Sequence, residues 1–96
     1  MNKELYITIS RISDYAGSEA FRPGMKLTLK KDHDNPYDDE AIAVYNDRCK
    51  YGYVANCWHS VCRGTHSAGY IYLSMEEEAE CRVCFVADEF AIAVLL

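Results

Sequence analysis

Apolar and polar positions alternate in short runs along most of the chain. Leu5, Ile7 and Ile9 interleave with Tyr6, Thr8 and Ser10, the period-two signature of a half-buried strand over residues 5–10. Met25, Leu27 and Leu29 interleave with Lys26, Thr28 and Lys30, giving a second strand that turns its lysines outward. Pro23-Gly24 just before it is a strong turn dipeptide. Residues 41–46 and 50–54 read as a hairpin through Asn46-Asp47, and residues 68–74, 80–87 and 90–96 as further strands. Only residues 57–63 read as helix, with Asn56 as its cap and Gly64 as its stop. The alternation places Leu5, Ile7, Leu27, Leu29, Ile42, Val44 and Val54 in the core. This many short strands in 96 residues predicts a mainly β protein, a small closed barrel of about six strands with one or two short helices.

The length fits one domain over residues 1–96. Half of the residues are apolar and 26% are charged, a globular composition rather than a disordered one. The longest apolar run, residues 90–96, is far short of a bilayer span, and MNKELYITIS reads as no secretory leader; both point to the cytoplasm. The net charge is −5, and residues 51–96 hold only two basic residues against six acids. That balance argues against broad, non-specific coating of duplex DNA. A local strip, Arg22, Lys26, Lys30 and Lys31, carries no acid between its ends and suits a short anionic ligand.

Cys49, Cys57, Cys62, Cys81 and Cys84 form an odd set, which favours reduced thiols over a disulfide framework. Cys81 and Cys84 lie three apart in a predicted strand, so they point to opposite faces and make a poor zinc pair; buried small thiols are the expectation, with no cofactor. Pairing a cysteine with His59 or His66 leaves no orienting third group, and no phosphate-cradling glycine loop is present. The chain reads as non-catalytic. DHDNPYDDE suggests calcium, but the EF-hand register needs Gly where Tyr37 stands and Glu where Ala43 stands.

One ordered set of motifs is distinctive. Gly24 precedes the strand 25–29, then come Asn35-Pro36-Tyr37-Asp38, Ala41-Ile42-Ala43-Val44 and Gly52-Tyr53-Val54. In this order they resemble the HIRAN domain family, and Gly69-Tyr70-Ile71-Tyr72 is similar to its bacterial members. The resemblance implies an OB-like or SH3-like barrel found beside translocases, helicases and nucleases, and also alone. It further implies a DNA repair or processing role in which single-stranded DNA is captured by its 3′-hydroxyl end. Carried over by position, Asn35 and Asp38 would bond the terminal nucleotide, while Tyr37 and Tyr15 would stack on bases. Tyr53 stands where that binder has His, and Ser13-Asp14-Tyr15 stands where it has a basic residue and two aromatics.

The chemistry is coherent in its own terms. A terminal hydroxyl donates to a carboxylate, while Asp38 would repel an internal phosphate. Tyrosine faces stack on bases with little regard to sequence, and Lys26 and Lys30 share one strand face suited to phosphates. The same four residues, Asn35 to Asp38, are also ordinary turn chemistry. Two classes of function stand side by side: a single-stranded DNA-end binder, and a protein-interaction module meeting its partner through residues 90–96 or the acidic 76–80 run.

Overall fold

The computed structural model describes residues 4–96, so the leader reading of MNKELYITIS lies outside the described residues in its first three positions. Six strands, β1 (Tyr6–Ser10), β2 (Lys26–Lys31), β3 (Ile42–Asn46), β4 (Cys49–Val54), β5 (Glu78–Val86) and β6 (Ala91–Leu95), close into an all-antiparallel barrel. Their order around it is β1-β4-β3-β2-β5-β6, with β6 returning to pair with β1 through Tyr6↔Val94 and Ile9↔Ala91. Alternation does the sorting. Ile7, Ile9, Leu27, Leu29, Ile42, Val44 and Val54 are buried, joined by Cys81, Val83, Ala91 and Ala93 from the last hairpin. Leu5 is half-buried, so one of the expected core residues sits at the margin.

Two glycines make the closure possible. Gly24 takes φ 94° in the turn that follows Pro23, where the Met25 N–H returns to the Arg22 carbonyl at 3.2 Å and launches β2. Gly52 lies where β4 meets the end of β1, and a Cβ there would stand 2.6 Å from the Ser10 carbonyl oxygen. Between β1 and β2 the chain runs through two 3₁₀ turns, Ile12–Asp14 and Ser18–Ala20, and Ile12 and Phe21 pack into the same core.

Two sequence expectations are corrected. Residues 57–63 form turns rather than a helix, and residues 68–74 are not a strand: α1 (Ala68–Tyr72) lies there. Ser67 caps α1 by accepting the Tyr70 N–H, and Ala68 and Ile71, three apart, are the buried pair. That spacing is helical, and the aromatic alternation around it misleads. The expected cap Asn56 instead accepts the Gly69 N–H at 2.8 Å, tying α1 to the end of β4. The thiols also depart from expectation: Cys49, Cys57 and Cys84 are exposed, and Cys81 alone is fully buried, its thiol pushed up to about 12 by desolvation. Residues 90–96 are committed to the barrel, with β6 paired on both sides, so they offer no free strand to a partner. Among the described residues no helix is long and apolar enough to cross a membrane.

β1 is covered on its outer face as well. Thr8 is fully buried beneath residues 62–66, in a ring of three bonds. The Thr8 hydroxyl meets Thr65 Oγ1 at 2.8 Å, Thr65 donates to the Cys62 carbonyl at 2.7 Å, and the Cys62 N–H donates to Thr8 Oγ1 at 3.1 Å. This ring pins the irregular 57–66 segment to the barrel wall.

Candidate nucleic-acid interface

The loop between β2 and β3 is built by its own polar side chains. Asn35 Oδ1 accepts the N–H groups of Tyr37 (2.9 Å) and Asp38 (3.1 Å), an Asx arrangement that Pro36 preorganises. Asp38 Oδ1 accepts the Glu40 N–H at 2.9 Å, and its Oδ2 accepts Asn56 Nδ2 at 3.0 Å. Each carboxylate oxygen keeps a further lone pair, so turn-making and ligand-binding are compatible here. Held this way, the loop leaves the Tyr37 ring 94% exposed.

Asn35, Tyr37, Asp38 and Tyr53 line one pocket of about 670 Å³, together with Arg11 and Asn56. Tyr15 is not part of that lining, but its ring centroid lies 6.2 Å from that of Tyr53. Lys50 Nζ donates to the Tyr53 hydroxyl at 2.8 Å, and that hydroxyl donates to Asp32 Oδ2 at 2.7 Å. The Tyr53 bond, together with Lys50, lowers the Asp32 carboxyl pKa. The other bond, from Lys50 to the Tyr53 hydroxyl, raises Lys50, and desolvation raises Tyr53. The relay locks the Tyr53 ring in one orientation. The Arg11 guanidinium lies 5.7 Å from the Tyr53 ring centroid and 3.1 Å from Asp14, its backbone left-handed at φ 60°.

Other expected residues fall elsewhere. Lys26 and Lys30 are on β2, outside the lining of this pocket, and pair with Glu80 at 3.7 Å and Glu78 at 3.9 Å across the β2–β5 ladder. Two of the four strip residues are thus answered by acids of β5, which the linear sequence holds about fifty residues away. In its place Arg11 and Lys50 bring positive charge to the aromatics, Lys50 lying 5.7 Å from the Tyr15 ring centroid. Two cations thus lie beside Tyr15 and Tyr53 although Ser13-Asp14-Tyr15 itself holds none. Neither cation carries a local sequence signal: Arg11 follows a strand, and Lys50 reads as an ordinary outward strand residue. Asn56 was missed for a different reason, since its helix-cap reading concealed its reach to Asp38. Among the described residues no cluster of three or more His, Cys, Asp or Glu is placed to hold a metal.

Comparison with known proteins follows the same lines. No curated protein shows a significant match. Among solved structures, the barrel is similar to the crystal structure of the HIRAN domain of human HLTF, with a TM-score of 0.65 at 20% identity. That alignment covers 96% of this chain and 74% of the other, and at such identity it speaks for the fold alone. The HIRAN domain family profile matches residues 4–76, which carry the Asn35-to-Asp38 loop and both pocket tyrosines. HIRAN domains are known as DNA-binding modules rather than catalytic ones. The chain belongs to the HIRAN domain family.

Proposed function

We propose that this domain is a non-catalytic module that captures the 3′-hydroxyl end of single-stranded DNA in a repair or processing context, beside a helicase or nuclease partner. The observation that carries the reading is the meeting of Asp38 and the exposed Tyr37 in one pocket with Tyr53. Asp38 accepts the terminal O–H, and Asn35 fixes the loop that presents it. Asp14, Asp38 and Glu89 all line the pocket, against one cation, Arg11, among the described residues. Such a site tolerates a neutral hydroxyl and rejects a terminal phosphate by like-charge repulsion. Tyr37 and Tyr15 supply stacking faces, while Arg11 and Lys50, beside the Tyr53 and Tyr15 rings, offer positive charge to the preceding phosphate.

The test compares oligonucleotides with a free and a phosphorylated 3′ end. Wild-type protein prefers the free end, and Asp38→Ala lowers affinity for it by about tenfold, the scale of one hydrogen bond to a charged group. The same variant leaves the weaker binding of the phosphorylated strand unchanged or improved. Equal losses on both strands would refute end recognition by Asp38. A second reading, a protein-interaction module on the same barrel, is favoured by the pairing of Lys26 and Lys30 with glutamates. No oligonucleotide binding even at low salt would select it.

A further inference from the structure

A second groove adjoins the pocket just described, on the other side of the 57–62 turns. Asn56, Cys57 and Cys62 line both, so the two form one continuous surface. Its lining includes exposed aromatics. The indole of Trp58 is 91% exposed, Tyr70 is 62% exposed, and the Tyr70 ring stacks on His66 with centroids 4.2 Å apart. Arg63 lines it as well, and none of the described lining residues is a carboxylate. In a chain of net charge −5 that is an unusual stretch of surface, and the neighbouring pocket holds three carboxylates. The consecutive residues Trp58 and His59 divide the two, the first lining the groove and the second the pocket, with rings edge to face at 5.6 Å.

We infer that this groove is a second subsite for single-stranded DNA, taking the internal nucleotides on the 5′ side of the captured end. The inference rests on the proposed function and extends it. The two surfaces divide the chemistry of one strand. The acidic pocket accepts an uncharged terminus, and the carboxylate-free groove accepts bases on Trp58 and Tyr70 with a phosphate on Arg63. An exposed indole is a strong platform because every base presents a π-face to it, whatever its sequence. Arg63 adds a planar donor that matches phosphate geometry.

Trp58 is the single tryptophan of the chain, so its fluorescence reports the groove alone. A dinucleotide and a dodecanucleotide, each with a free 3′-hydroxyl, are titrated into the wild-type protein. The longer strand binds at least about tenfold more tightly and quenches Trp58, while the dinucleotide leaves its emission unchanged. Trp58→Ala and Arg63→Ala each reduce the advantage of the longer strand and leave dinucleotide affinity as it was. Trp58→Phe, which keeps a stacking face, retains part of the advantage, and unchanged melting curves show that the variants fold. Equal affinity for both lengths without quenching would overturn the groove and leave the end pocket standing. A 3′-phosphorylated dodecanucleotide that binds as tightly as the free one, still quenching Trp58, would support the groove and overturn end capture. Failure of both strands to bind would overturn the proposed function and this subsite with it.

Discussion

Tyr53 holds the candidate site together through one hydroxyl that accepts from Lys50 and donates to Asp32. Its consequences for pH follow in sign from the shifted groups. Asp32 is depressed below its ordinary 3.8, so its contribution to folding is present above that value and is lost as pH falls through the folded value. Lys50 and Tyr53 are raised above 10.5 and 10.0, so their contributions are complete below those values and are lost as pH rises through the folded ones. Tyr53→Phe removes both bonds while keeping the ring. Urea unfolding should show a loss of about 1 kcal/mol at neutral pH. The gap to wild type should narrow in acid, where Asp32 is protonated, and in strong alkali. A constant difference across the whole pH range would show that the relay carries none of the stability.

The 57–66 segment shows why some elements could be read from the sequence and others could not. β1, β2, β3 and β4 announced themselves because barrel walls demand strict inward alternation, and the Pro23-Gly24 and Asn46-Asp47 turns fixed their limits. Asn35, Tyr37, Asp38 and Tyr53 were equally readable as one group, since turn chemistry and motif order coincide in them. Residues 57–66 have no such logic. They lack regular backbone pairing and are held by side chains from distant positions, above all by Thr8, whose alternation marked it merely as polar. Thr8→Val keeps the shape but leaves the half-buried Cys62 N–H without its acceptor, at a cost of about 1–3 kcal/mol. Equilibrium denaturation measures that cost, and a change below about 0.3 kcal/mol would show that the ring of bonds is dispensable. The lysines of β2 lie outside the pocket for a related reason: which strand becomes a neighbour is settled by closure of the barrel, and closure set Glu78 and Glu80 beside them.

For the molecule as a whole, the closed sheet leaves one uneven joint. β1 pairs with β6 from Tyr6 to Ile9, but meets β4 only at Ile9↔Val54 and Ser10↔Tyr53. Beyond those pairs its carbonyls are served by looser chain: Thr8 receives the Ala55 N–H at 2.8 Å and Tyr6 the His66 N–H at 2.7 Å. The barrel is thus stitched along most of its circumference and only buttoned here, and Ser10, Tyr53 and Val54 at this joint also line the end pocket. Segments fastened by few bonds open most readily, and they govern the fastest amide exchange. The amides of Cys62 and His66 should therefore exchange hydrogen well before those of Leu29 or Val44, which sit within the β2–β3 ladder. On the proposed function, a strand of DNA laid across the joint would fasten it from outside, so saturating oligonucleotide should slow exchange at Cys62 and His66 and leave the β2–β3 amides unchanged. Uniform slowing throughout the barrel would point instead to stabilisation of the fold as one unit. On the proposed function, recognition over the joint would make the ligand the missing stitch, so that part of the binding energy would be spent in closing the sheet and the affinity would depend on how often the joint is open.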